Sequence, residues 1–498
     1  MNTLSTIKSL IGKLKREEVK SLLKFLRYYL DTEDESKGKG TQLVENILAD
    51  PECTAKDLQA GLYGKENYHA FSKLLNRTKD KIYEVLLFDQ NLSKPYYSNR
   101  NRIVFEIRKK LLQSEILLLR GMTDEFENFL NKIISKAKEY EVYDSLIEAL
   151  LTKQRFMVLQ SGSKEVEKIE KEIVIFEESR KKVQKARTAW TRIGSIINQS
   201  TSPFDYLKDL ELEIKALEID YRETNSASIG YFYYFLYVEW LQINKRYSES
   251  EQILIKLFDL VKSNVSIYTR ARCGDVQINL SNNEILLGDF KLAISNAIVA
   301  QDFFDFESLN YYVAREIEFY AHFYSNEIDL AEKIISDICN STRSANTPFL
   351  YSKWRYLFAC TKTKKGEILI SNELLQEYKE IESDKEGWNL SKRVLTIINR
   401  IDSNDLESAD LKVLGLEKFV KRILKSRHVR KRDVIIIRIL MKLINEGFDF
   451  EKVYRQRKRY FDLLESNHPD YGWKIKSPEL IIFHEWYRNK MAGKKPLA

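Results

Sequence analysis

Five histidines and four cysteines are the side chains best suited to hold a metal or act as nucleophiles, and neither set is spaced for that work. His69, His322, His428, His468 and His484 include no pair at metal-ligand spacing and no H-E-x-x-H helix. Cys53, Cys273, Cys339 and Cys360 are far apart, form no C-x-x-C pair, and read as buried thiols of a reducing compartment. The run Gly38-Lys39-Gly40-Thr41 ends like a phosphate-binding loop, in which backbone N–H groups wrap phosphates at a helix start. It lacks the preceding apolar strand and the Gly-Lys-Ser/Thr order, and it follows an acidic stretch, so residues 31–41 read as a loop. Neighbouring acids such as Glu177 with Glu178, or Glu332 near Asp337, would need an apolar pocket to serve as general acids. They read instead as solvated helix faces. With no G-x-S-x-G elbow, kinase signature or calcium loop either, the sequence predicts no catalytic residue, no metal site and no cofactor.

Two other patterns suit binding. Tyr231, Phe232, Tyr233, Tyr234, Phe235, Tyr237 and Trp240 are so closely spaced that on a helix they point all round it. Some must pack internally and some can face a groove, where the apolar body and polar tip of tyrosine suit a peptide. Asn310, Tyr311, Tyr312 and Arg315 form a second such patch. The other pattern is charge. Residues 421–460 hold fourteen Lys/Arg against four Asp/Glu, while the whole chain carries only +8, so the remainder sums to about −2. Within this segment, Arg427, Arg430, Lys431 and Arg432 surround His428, and Arg455, Arg457, Lys458 and Arg459 cluster on a predicted helix. Such charge attracts phosphates or acidic proteins, with an affinity that falls steeply as salt is added. No nucleic-acid reader motif accompanies it, which favours a solvated or protein-docking face.

The elements that position these residues follow from composition. Only 17 glycines and 7 prolines occur in 498 residues. A β-rich chain of this size needs many turns, and turns use those residues. Their scarcity beside abundant Leu, Ile, Lys and Glu predicts an all-α protein of helices joined by short links. The most apolar stretch, residues 231–241, contains Glu239 and is far short of the ~20 residues needed to span a bilayer. With no secretory h-region at the N-terminus, no membrane insertion is expected and the cytoplasm is the expected location.

The chain divides into three parts. Residues 1–92 read as an N-terminal helical unit, with Thr54 as an N-cap, Gly64 ending that helix, and a longer helix from Tyr68 to Leu87. The last two helices have the outline of a helix-turn-helix, and the second carries Lys73, Arg77, Lys79 and Lys81, but Leu74, Leu75 and Ile82 must be buried. Pro95 marks a boundary. Residues 96–402 repeat. Gly288, Phe290, Ala293, Ala297 and Ala300 set a frame that recurs at Asn326, Ile328, Ala331, Ile335 and Ile338. It recurs again at Gly366, Ile368, Ser371, Leu375 and Tyr378, at Lys245, Tyr247, Ser250, Leu254 and Leu257, and more weakly from Gly121 with Phe126, Leu130 and Ile133. The anchors at 250, 293, 331 and 371 are 43, 38 and 40 residues apart. Between the weak copy and the clear ones, residues 163–199 read as one or two long helices. Residues 403–498 form a basic C-terminal segment with helices near 406–424, 433–445, 450–464 and 479–491, punctuated by Pro469 and Pro478. A solenoid needs such a cap, because its last repeat otherwise exposes an apolar face.

The block Gly-Asp-Phe-x-x-Ala-x-x-x-Ala-x-x-Ala at 288–300 resembles the inter-helix turn and second helix of a tetratricopeptide repeat, in which small residues let neighbouring helices approach closely. That family's repeats are 34 residues long, and the intervals here are longer. The resemblance implies a right-handed α-solenoid of helical hairpins whose first helices line a concave surface. It implies a non-enzymatic scaffold binding a protein or peptide, with Tyr234, Gln277, Tyr312, Arg315 and Lys353 as the positions expected to face the groove. The rival reading is a regulator in which repeats sense a ligand and the N-terminal unit or the basic segment acts on nucleic acid.

Overall fold

The computed structural model describes residues 3–14, 16–30, 38–87, 99–160, 163–199, 206–341, 348–367, 387–423, 430–468 and 470–493. Among the described residues there are 22 α-helices and no strand. Pro95, Ile368, Ser371, Leu375, Tyr378, Leu424, Arg427, His428 and Pro469 lie outside them. The chain forms two compact units, residues 1–97 and 98–498.

The first unit contains α1 (Thr3–Lys13), α2 (Arg16–Leu30), α3 (Lys39–Ala49), α4 (Ala55–Tyr63) and α5 (Tyr68–Leu87). Its core gathers Ile7, Leu22, Leu26, Leu43, Val44, Phe71 and Ile82. Thr54 caps α4 in a reciprocal capping box: its hydroxyl accepts from the Asp57 N–H and the Asp57 carboxylate accepts from the Thr54 N–H. Gly64 then ends α4 in the left-handed conformation. The Gly-Lys-Gly-Thr run is a helix start, not a loop. Lys39 opens α3, and Gly40 and Thr41 are buried in it.

The second unit runs through α6 (Asn99–Leu119), α7 (Thr123–Glu139), α8 (Tyr143–Gln160), α9 (Ser163–Gln199), α10 (Leu207–Thr224) and α11 (Ala227–Ile243). It continues with α12 (Tyr247–Ser263), α13 (Arg270–Leu287), α14 (Phe290–Asp302), α15 (Leu309–Tyr324), α16 (Ile328–Cys339) and α17 (Pro348–Lys364). It ends with α18 (Trp388–Asp402), α19 (Leu406–Ile423), α20 (Lys431–Asn445), α21 (Phe450–Glu465) and α22 (Phe483–Met491). Each helix packs chiefly on its neighbours in sequence, and contacts also link α9 to α11 and α13 to α15. A hydrogen bond from Gln242 of α11 to Asn283 of α13, and those from Lys353 and Trp354 of α17 to Glu316 of α15, extend these links, so α9, α11, α13, α15 and α17 lie side by side as the first helices, with α10, α12, α14 and α16 as the second. Residues 163–199 form one helix rather than two.

One turn recurs between the helices. Gly121, Lys245, Gly288, Asn326 and Gly366, the residues that open the repeat frame in the sequence, all have positive φ, at 72°, 57°, 84°, 66° and 73°. In each case the next N–H reaches back five residues to a carbonyl at the end of the preceding helix, for example Asp289 to Glu284 and Glu327 to His322. This left-handed closure satisfies the orphan carbonyls of the helix end. Glycine adopts it without penalty, and asparagine tolerates it. The same bond recurs around Glu141, Asn404 and Gly447, so the repeated turn does not stop at residue 402. Inside the hairpins, Ala293, Ala297, Ala300 and Ala331 are wholly buried. At Gly274 the backbone of α13 lies so close to the Phe304 ring that a Cβ would meet it at 2.4 Å.

Glu284, beneath the Gly288 turn, is 2% exposed, and its Oε1 has no partner. Burial, with Glu251 and Asp289 nearby, pushes its carboxyl up to about 7. The folded state therefore holds the proton more tightly than the unfolded chain does. The stability this gives is present at acid pH and lost as pH rises toward 7. Glu284→Gln is expected to raise stability by about 1–3 kcal/mol at pH 8 and to change little at pH 4. Urea denaturation at both pH values checks this, and an equal effect at the two would contradict it.

Candidate binding face on the first helices

The row of first helices is where the sequence places a groove, and the structure shows how its side chains are used. On α11, the aromatic run divides. Tyr231, Phe232, Tyr233 and Phe235 are buried, whereas Tyr234, Tyr237 and Trp240 are half-buried on the rim. Tyr237 stacks on Tyr233 at 5.9 Å and on Trp240 at 6.0 Å, and Tyr234 meets Tyr221 edge-on at 5.8 Å. Gln277 is buried in α13 with its Oε1 unpartnered. Arg315 leans toward the second helices, reaching Asp337 of α16 at 3.3 Å.

Tyr312 and Lys353 meet around a buried acid. Glu316, 7% exposed, accepts from Lys353 Nζ at 2.6 Å and from Trp354 Nε1 at 2.7 Å. The Tyr312 and Trp354 rings lie 5.9 Å apart, and the Lys353 ammonium sits 5.0 Å from the centre of the Trp388 ring. This cluster locks α15 to α17. Of the five expected groove residues, two are buried aromatic or amide side chains, two hold internal ion pairs, and Tyr234 sits on the rim.

The row presents a different set of groups, missed in the sequence. Residues 470–482, expected in part to be helical, are an irregular strap, and α22 begins only at Phe483. The reason is Glu479, whose carboxylate accepts from the Phe483 N–H at 2.9 Å and is also held by Arg432. The strap crosses the first helices. The Lys476 N–H donates to the Tyr324 hydroxyl at 2.8 Å, and Lys476 Nζ bonds to Asn282 and lies 5.4 Å from the centre of the Tyr320 ring. The Tyr356 hydroxyl donates to the Pro478 carbonyl at 2.6 Å, and Leu480 is buried among α15 and α17. Next to this occupied stretch lies a cavity of about 130 Å³ between α9, α11 and α13, lined by Trp190, Phe235, Glu239, Gln242 and Asn279 among others. Burial raises the Glu239 carboxyl, which accepts from the Tyr206 hydroxyl at 3.2 Å. The signal available in the sequence was the pair Asn279 and Asn282, one helical turn apart and followed on α15 by Tyr320 and Tyr324 at the same kind of step.

The basic segment also divides. Arg432 is 5% exposed and pairs with Glu479 at 2.5 and 2.8 Å, which removes it from any surface patch. Arg430 forms a two-pronged pair with Asp433, at 2.7 and 3.0 Å. Lys431 reaches Asp470, Arg455 reaches Glu451, and Arg457 lies over the Tyr460 ring. Lys458 and Arg459 are exposed on α21. Cys53, Cys273, Cys339 and Cys360 are buried, and none is in a disulfide. Burial pushes the Cys339 and Cys360 thiols up to about 12, far from the thiolate that nucleophilic chemistry needs. Among the described residues no helix is long and apolar enough to cross a membrane. No protein-family model matches the chain, and neither a curated protein nor a solved structure gives a significant match.

Proposed function

We propose that this chain is a non-enzymatic interaction protein that binds an extended peptide segment along its row of first helices. In this reading the hairpins are of the tetratricopeptide-like kind, wound as a right-handed superhelix with the first helices on the concave side. The observation that carries it is the strap: the row already holds one non-helical segment, the chain's own, through tyrosine hydroxyls that bond its backbone and an asparagine that bonds its lysine. An amide or hydroxyl that bonds a main chain is indifferent to side-chain order and suits an extended ligand. The open continuation of the row, with Trp190, Gln242 and Asn279, has the same chemistry and an aromatic anchor.

The test is affinity purification from the native cell, washed at low and high salt, with protein and nucleic acid both identified. A protein recovered at both salts, and lost by about tenfold or more with Trp190→Ala and Asn279→Ala, is the expected result. Exposed Lys458 and Arg459 favour one second reading, a regulator that contacts nucleic acid. Nucleic acid recovered only at low salt, and lost with Lys458→Glu and Arg459→Glu, would replace the peptide reading with that one.

A further inference from the structure

A second cavity of about 300 Å³ opens where the strap, the ends of α15, α17 and α18, and α22 meet. Its walls are apolar and largely aromatic, including Phe323, Tyr324, Trp473, Ile481 and Trp486. That volume falls at the lower end of small-molecule sites, which typically combine such walls with a few placed polar groups. Among the described residues Lys364 is the cation on the lining. Its ammonium lies 4.7 Å from the centre of the Phe323 ring, and no described carboxylate forms an ion pair with it. Two described acids lie nearby. Asp402 is bound by Lys490 at 2.8 Å and by Trp486 Nε1 at 3.2 Å, and Glu485 is exposed on α22, acting on Lys364 only at longer range. The amide of Asn489 also lines the space. Half-burial holds the Lys364 ammonium below the usual lysine range, as expected for a cation that lacks a close counter-charge.

We infer that this cavity binds a small apolar monocarboxylate, its hydrocarbon body among Phe323, Trp473 and Trp486 and its carboxylate on Lys364 with Asn489 as second donor. A monoanion fits better than a phosphate dianion, because a single lysine beside two carboxylates cannot neutralise two charges in a half-buried site. A neutral chain of the same length fills the walls but leaves the lysine without its counter-charge.

Calorimetric titration of the full chain with decanoate, decan-1-ol and decyl phosphate, all below micelle formation, tests this. Saturable one-to-one binding of decanoate is expected, with decan-1-ol and decyl phosphate each weaker by about tenfold or more. Lys364→Met should lose decanoate binding by about the same factor while keeping decan-1-ol binding. Ile482→Trp, which fills the cavity, should lose both. Should Lys364→Met fail to fold, the comparison of the three ligands on the unaltered chain decides. No saturable decanoate binding, equal binding of the alcohol or the phosphate, or decanoate binding indifferent to Lys364→Met in a folded variant would each overturn the assignment.

Discussion

Arg432→Ala is expected to destabilise the second unit by about 3–5 kcal/mol, because it leaves a buried carboxylate without its partner. Arg432 is the clasp of the strap. Its guanidinium holds both oxygens of Glu479, and its Nη1 donates to the carbonyls of Leu464 at 2.8 Å and Tyr471 at 2.7 Å. One side chain therefore ties the end of α21, the strap and the cap of α22. The described neighbours supply no substitute cation. Arg430 is committed to Asp433, whose own carboxyl burial pushes up to about 6, with Glu479 adding to the rise. His484, which lies 3.1 Å from Arg432, is driven down to about 4 by burial and by that arginine, so it stays neutral near pH 7. Chemical denaturation gives the loss, and hydrogen exchange should show residues 470–482 opening before the helices. Replacing both partners with apolar side chains, Arg432→Met with Glu479→Leu, should recover much of the stability, since the cost lies in the orphaned charge. A single variant within about 0.5 kcal/mol of the parent would show that the pair does not hold the strap.

Glu316→Ala has the second largest expected effect, a loss of about 2–4 kcal/mol. The truncation strands the Lys353 ammonium and the indole N–H of Trp354, which is 1% exposed, and opens a small void beside Tyr312. Lys353 retains some access to water, so its share of the loss is the smaller one. Glu316→Gln keeps the acceptor for Trp354 and should recover about half of the loss. Thermal melts of the two variants compare these directly, and equal melting temperatures for Ala and Gln would mean that the Trp354 bond contributes nothing.

How far the sequence reveals this molecule depends on the range over which its forces act. The inter-helix turn is local. A residue able to take positive φ, followed by a small-residue stripe at steps of three and four, specifies it, and Gly288 and Asn326 were legible for that reason. Its continuation at Asn404 and Gly447 was obscured by the dense charge around it. Arg432 was misread because its neighbours in sequence are basic while its counter-charge, Glu479, lies 47 residues on. The strap carries no periodicity, since its conformation depends on the bond of its Glu479 to Arg432 and on bonds of its backbone to Tyr324 and Tyr356, all distant in sequence. The groove residues were chosen by position and polarity. On α13 and α15 that choice selected Gln277, which is buried with its Oε1 unpartnered, and Arg315, which reaches Asp337 of α16, whereas Asn282, Tyr320 and Tyr324 contact the strap. Helix phase relative to a partner is set by packing, and one sequence does not encode it visibly.

The claim that the first helices bind an extended segment is tested most directly by site-specific photo-crosslinking in the native cell. A benzophenone amino acid would replace Trp190 on the open end of the row and, as a control, Ile255, which is 48% exposed on second helix α12. Position 190 is expected to cross-link one protein within a single short stretch of its sequence, with the adduct absent at position 255. Equal cross-linking at both positions, or adducts scattered over many proteins, would contradict it.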